Sequence, residues 1–367
     1  MNNAIKKAQK IQTNRIGATC FFDAITCSLE YLDRIYWALD YVDYTFLFNK
    51  EKILSFHNVN ELDSQVSPTD KYYFYISPNS AYYADLLSYT SELYITNIGK
   101  MVACCTDGNE NFFNTLESLD ESKLPVILKV NNLEYKEFYA YNHFTIPRSD
   151  SKHLINILAV SKNKDKFFIF DRGFDCFGEW IDPRLLFRGA TSNFLGKSNE
   201  FCYMFFHNTP PKLNQQEIKA KLKSSIMRAM PDIVEIDGTP YKNNHSALAS
   251  FKRDMEEIIN VLYAKYGHYA APLLGEAILL QVDGSMGISN LYEEINKILQ
   301  LDSLPEVIYA IKLYWEEWHK FEQRLKYITY KNENIFEYIN VFENRIEKMM
   351  DLDNRIMYGL NKVIDEI

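Results

Sequence analysis

The spacing of apolar positions changes once along the chain. Up to about residue 207, short apolar runs alternate with polar turn residues. Beyond about 212, apolar residues recur every three or four positions, the period of a helix. The pair Pro210-Pro211, following His207-Asn208-Thr209, interrupts both patterns. This predicts an α+β domain over 1–208 followed by an all-helical domain over 212–367. In the first part, Phe22, Ile25, Leu29 and Leu32 predict a helix over 19–32. Strands are expected at 72–76, 93–98 and 101–105, and a helix at 109–119. The run PVILKV at 125–130 reads as a buried strand. HLINILAV at 153–160 and FFIFD at 167–171 flank the turn-rich stretch 161–166, a hairpin signal. In the second part, helices are expected near 214–230, 245–266, 270–282, 288–299, 304–328 and 334–365. The wide stripe of Val307, Ile308, Ile311, Tyr314, Trp315, Trp318 and Phe321 reads as packing within a helical bundle. Glu316, Glu317 and Glu322 read as a solvated helix face.

Composition narrows the class. With 367 residues, 47% hydrophobic and 24% charged, the chain has the make-up of two globular domains. A net charge of -9 argues against a nucleic-acid partner, because phosphate binding favours a basic surface. The basic N-terminal residues precede no apolar signal region. The longest nearly apolar run, 269–282, carries Glu276 and is too short to span a bilayer. A cytoplasmic protein with no membrane partner is expected, its six cysteines reduced. No C-x-x-C or H-E-x-x-H occurs, so no metal site is expected.

The chemistry that stands out is that of a thiol. Cys20 falls at the start of the 19–32 helix, where free N–H groups and the macrodipole favour an anion and lower a thiol's pKa. Cysteine enzymes order a helix-borne Cys first, a His far downstream, then a carboxylate or amide. Cys20, His153 and Asp171 follow that order, with His153 opening one strand of the hairpin and Asp171 closing the other. An even pairing register would set both on one sheet face. His143 is a rival base and Asp175 a rival carboxylate. Cys27, Cys104, Cys105 and Cys202 read as inert packing. The Cys20 N–H is one oxyanion donor, and Gln12 or Asn14 could supply a second. The aromatic segment 135–144, with Tyr139, Tyr141 and His143, is a candidate wall for a substrate pocket. Lys212, Lys219, Lys221, Lys223 and Arg228 stand against a single Glu217 within 212–228, a candidate docking face for an acidic partner centred on Lys219 and Lys223. Its plainer reading is a solvated helix face. The stretch Asp283 to Gly287 lacks the G-K-[ST] of a phosphate loop.

These segments resemble a known family. ATCFFDAITCSLEYL around Cys20, PVILKV, and KHLINILAV followed by FFIFD are similar to the butirosin biosynthesis protein H family. Its N-terminal domain is papain-like and similar to bacteriocin-leader peptidases. HSALASFKRDMEEI, LLGEAILLQVDGSMGISNLYEEI and AIKLYWEEWHKF resemble the helical domain that often follows. The family's usual Gly-Tyr-Asp-like turn after the His strand is here Val160-Ser161-Lys162. The resemblance implies a Cys20, His153, Asp171 triad and acyl transfer. The acyl or aminoacyl group would come from the phosphopantetheine thioester of an acyl or peptidyl carrier protein, and an amine acceptor would take it, in thiotemplated or nonribosomal peptide-like biosynthesis. The protein would need no cofactor of its own. The alternatives are a cysteine peptidase or amide hydrolase, and a non-catalytic binding protein of the same fold. A helical second domain is compatible with a homodimer without requiring one.

Overall fold

The computed structural model describes residues 2–11, 16, 20–40, 44–51, 94–95, 101–107, 124–131, 152–161, 163, 165–172, 176–182, 200–206, 209–236, 238–267 and 270–367. The chain forms two compact units. One comprises Met1–Arg15, Cys20–Ala38 and Leu86–Lys212; the other comprises Ile16–Thr19, Leu39–Asp85 and Leu213–Ile367. The second begins its long final segment two residues after the Pro pair, and it also takes in residues 39–85.

The first unit holds helices α1 (Asn2–Ala8) and α2 (Cys20–Tyr31). Its strands are β2 (Tyr94–Ile95), β3 (Met101–Asp107), β4 (Val126–Asn131), β5 (Lys152–Val160), β6 (Phe167–Asp171), β7 (Cys176–Ile181) and β8 (Glu200–Phe206). They make one antiparallel sheet in the order β2-β3-β8-β4-β5-β6-β7. The hairpin expected from HLINILAV and FFIFD is present as β5 and β6. Its turn is closed by Ser161, whose N–H donates to the Lys166 carbonyl at 2.9 Å and whose Oγ accepts from the N–H groups of Asp165 and Lys166. β5 is buried on both faces from Ile155 to Ala159, so both faces of the sheet are covered there. The β6–β7 pairing slips by one residue between Ile169 and Asp171. Gly178, at φ +97, lies in that slip with the Phe168 ring against it. The strand expected at 72–76 and the helix expected at 109–119 lie outside the described residues.

The second unit contains strand β1 (Leu47–Phe48), helix α3 (Gln215–Ala229), strands β9 (Ile233–Ile236) and β10 (Thr239–Asn243), and helices α4 (Asn244–Tyr266), α5 (Ala270–Leu299), α6 (Leu304–Lys331) and α7 (Ile339–Glu366). α3 starts on a capping box. Asn214 Oδ1 accepts from the Glu217 N–H at 3.0 Å, and Glu217 Oε2 accepts from the Asn214 N–H at 2.7 Å. α6 ends at Asn332 in the left-handed conformation. Its apolar stripe is buried except at Trp315, which is partly exposed, and Trp318 and Phe321 pack with Phe46, Phe251 and Phe342.

Three features differ from the sequence expectation. The region beyond 212 is not purely helical, since β9 and β10 form a hairpin extended by β1. The helices expected at 270–282 and 288–299 are one helix, α5, running through Gly284 and Gly287. Glu317 and Glu322 are buried rather than solvated. Glu317 pairs with Lys320 at 2.7 Å and Arg345 at 2.9 Å, and Glu322 with Lys326 at 2.6 Å. These partners arrive from the next helical turn and from α7, so charge alternation along α6 hid the pairing. Among the described residues, no helix is long and apolar enough to cross a membrane.

Candidate functional site

Cys20 is the first residue of α2. Its own N–H therefore belongs to the first turn, which has no intrahelical acceptor. His153 is the second residue of β5 and pairs with Val130 of β4. Asp171 closes β6 and is buried. In the β5–β6 ladder Asn156 faces Phe170 and Ile157 faces Ile169. One further step sets Asp171 opposite Ile155, two residues from His153, so strand alternation gives positions 153 and 171 the same sheet face. The side chains of Cys20 and His153 lie outside the described residues. So do Gln12, Asn14, Tyr139, Tyr141, His143 and Asp175.

α2 is held to the sheet by polar contacts that the sequence did not signal. Asn156 is buried, and its Nδ2 donates to the Ala24 carbonyl and to Ser28 Oγ, both at 2.8 Å. The Arg172 side chain is 0% exposed; its Nη1 donates to Thr26 Oγ1 at 3.2 Å and its Nη2 pairs with Glu30. On the same stretch, Cys27 and Tyr31 belong to one cluster with Leu158, Ala159, Phe168 and Phe170. The polar contacts fall at Ala24, Thr26, Ser28 and Glu30, the middle and last turns of α2. Cys20 lies four residues before Ala24, about 6 Å along the helix. Asn156 has the opposite parity to position 153. α2 covers the face of Asn156 and Phe170, while positions 153 and 171 belong to the other face.

Cys27, on the same helix, fits its expected packing role. Burial first, then the nearby Asp23 and Asp171 carboxylates, push its thiol up to about 12 against the opposing charge of Arg172. A thiol so placed is not a nucleophile near neutrality.

The basic residues around α3 divide. Lys221 pairs with Asp40 at 2.7 Å, and Arg228 donates to the Leu39 carbonyl. Lys212 and Lys223 are exposed, and Lys219 is partly so. Lys219, Lys223 and the half-exposed Met227 follow one another at four-residue spacing, a stripe on one face of α3.

A second polar cluster sits among apolar residues of the helical unit. Tyr44 donates its hydroxyl to Asp353 Oδ1 at 2.8 Å, and His245 Nδ1 lies 3.9 Å from Oδ2. Asp353 is 0% exposed. Burial lifts its carboxyl to about 6, although the Tyr44 hydrogen bond and His245 pull the other way. Burial and the Asp353 charge together push the Tyr44 and Tyr314 hydroxyls well above the usual phenol value. A sequence signal for this cluster existed. Phe342, Ile346, Met349, Asp353, Ile356, Leu360 and Val363 follow a strict four-three spacing, with one carboxylate in an apolar seam.

Among the described residues, no group of three or more His, Cys, Asp or Glu could hold a metal ion. Compared with protein-family models and with curated proteins, the chain matches none.

Proposed function

We propose that this protein is a papain-like cysteine acyltransferase that forms an amide bond through an acyl-Cys20 intermediate. The observation that carries the reading is the β5–β6 register. It gives positions 153 and 171 one sheet face. Asp171 accepts the Nδ1–H of His153 and fixes its tautomer, leaving Nε2 to take the Cys20 proton. The Cys20 thiolate attacks the carbonyl carbon of a carrier-bound thioester. The resulting oxyanion accepts from the Cys20 N–H and from the amide of Gln12 or Asn14. The carbon–sulfur bond to pantetheine breaks, and the departing thiolate takes the proton from His153. An amine then attacks acyl-Cys20, losing its proton to His153, and Cys20 leaves as thiolate. Exchange of one thioester for another changes bond energy little, and amide formation drives the sequence forward. Tyr139, Tyr141 and His143 wall the acyl group from water, which would otherwise hydrolyse the intermediate.

The partner is an acyl or peptidyl carrier protein, and the phosphopantetheine arm belongs to it. Its acidic surface docks on Lys219 and Lys223 of α3, with Met227 as an apolar contact. The enzyme works in the cytoplasm, where its thiols stay reduced. The test supplies an acyl-pantetheine thioester plus an amine, and separately a peptide. Amide formation that disappears in Cys20→Ala, with little peptide cleavage, supports the acyltransferase. Peptide cleavage without amide formation identifies a hydrolase instead.

One observation favours a second reading, that of a non-catalytic binding protein. α2 meets the sheet through Asn156 and Arg172, on the face opposite positions 153 and 171. A triad therefore has to assemble around the end of the sheet. If it does not, Cys20 alkylates at neutral pH no faster than an ordinary thiol.

A further inference from the structure

We infer that Asn156 and Arg172 are positioning residues, two buried polar clamps that fix the rotation and slide of α2, and with it Cys20 at its first position, against the strands carrying His153 and Asp171. The inference rests on the cysteine-enzyme reading above. Each clamp lies on or just after a strand that carries a proposed triad member: Asn156 is three residues past His153 on β5, and Arg172 directly follows Asp171, the last residue of β6. Each reaches across to α2. Asn156 Nδ2 divides its donors between the Ala24 carbonyl and Ser28 Oγ. Arg172 spans one helical turn, with Thr26 on one nitrogen and Glu30 on the other.

Stability alone does not account for these groups. The Ala24 carbonyl already accepts a helical N–H from Ser28, so it does not require Asn156. A buried ion pair such as Arg172–Glu30 is often no more stabilising than apolar residues of similar volume. Directional hydrogen bonds do something that apolar contacts do not: they set the rotation and slide of a helix to a single value. Cys27 and Tyr31, on the same stretch of α2, belong to one apolar cluster with Leu158 and Phe170. The clamps at Ala24, Thr26, Ser28 and Glu30 fix how the helix that begins at Cys20 is rotated and slid against the strands. A shift there of about 1 Å would cost a reacting pair on the order of 100-fold in rate.

The experiment uses Cys27 as an internal reporter. The full-length protein, Asn156→Leu, and the double variant Arg172→Met with Glu30→Leu are treated with iodoacetamide at neutral pH. Labelling at Cys20 and at Cys27 is followed separately by peptide mass, beside a thermal melt. The double variant removes both charges together and so leaves no buried ion unpaired. The expected result is fast Cys20 labelling in the wild type and labelling about 10- to 100-fold slower in folded variants. Cys27 stays unlabelled throughout, and Arg172→Lys recovers part of the rate. Unchanged Cys20 labelling in folded variants overturns the inference. So does Cys27 becoming labelled in step with the change at Cys20, which would mean that the clamps merely hold the helix down. If the variants do not fold, Thr26→Val and Ser28→Ala each remove one clamp contact with little change of volume. Each then slows Cys20 by a smaller factor, or the inference fails. A wild-type Cys20 no faster than a free thiol sinks the enzyme reading itself, an outcome distinct from all of these.

Discussion

A carboxylate with no water around it keeps its proton to higher pH, and Asp353 shows what that does to stability. Its folded value is about 6 against an ordinary 3.8, chiefly through burial. Between those values the folded protein binds more protons than the unfolded chain. The contribution is therefore fully present below about pH 4 and is lost as pH rises through 6, by about 3 kcal/mol in all. Asp353→Asn removes this titration while keeping the side-chain shape. Urea midpoints measured from pH 4 to 7.5 should show the wild type losing stability relative to Asp353→Asn over that window; parallel curves would refute it. Gly178 is a residue of another kind. At φ +97, with an added Cβ only 2.5 Å from Phe168 Cζ, Gly178→Ala combines backbone strain with a clash. It should cost about 1–3 kcal/mol in chemical denaturation; a loss within measurement error would contradict the strain. Asp353 had a signal that the sequence reading passed over, one polar residue in a four-three apolar seam. Asn156 and Arg172 had none, because what makes a buried polar residue useful is its partner, and α2 lies more than 100 residues earlier in the chain.

At the scale of elements, local pattern read best where local forces decide. α2, β5 and β6 fall within one residue of the expected bounds, because each has a clear period and a marked end. α5 was expected as two helices since Gly284 and Gly287 each weaken a helix by about 1 kcal/mol. Packing of α5 against α6, and buried Ser285 and Ser289, outweigh that local preference. The β9–β10 hairpin carried its own signal. Asp237-Gly238 separates two strand-like runs, and Gly238 sits at φ +73, as a two-residue hairpin turn requires. The strength of the surrounding helical period masked it. β8 was less legible, because it is inserted between β3 and β4 by contacts distant in sequence.

At the scale of the whole chain, a net charge of -9 sits awkwardly with an acidic carrier partner. The account therefore depends on a local basic stripe. Charge reversal at Lys219 and Lys223 should slow acyl transfer from a carrier protein about 10-fold or more, with a steep salt dependence. Transfer from a small pantetheine thioester should be unchanged. Equal loss with both donors would contradict docking at α3. The order of Cys20, His153 and Asp171 was legible in the sequence, and so was the hairpin that joins the last two. The parity of α2 packing was not, because it depends on which face of the sheet a helix covers.

The central claim is that Cys20 carries an acyl group, and intact mass tests it most directly. Wild type and Cys20→Ala are incubated with a panel of acyl-pantetheine thioesters and no amine. The account predicts a mass increase of one acyl group on the wild type alone, lost on adding an amine. No adduct with any donor, alongside ordinary thiol reactivity at Cys20, would contradict it.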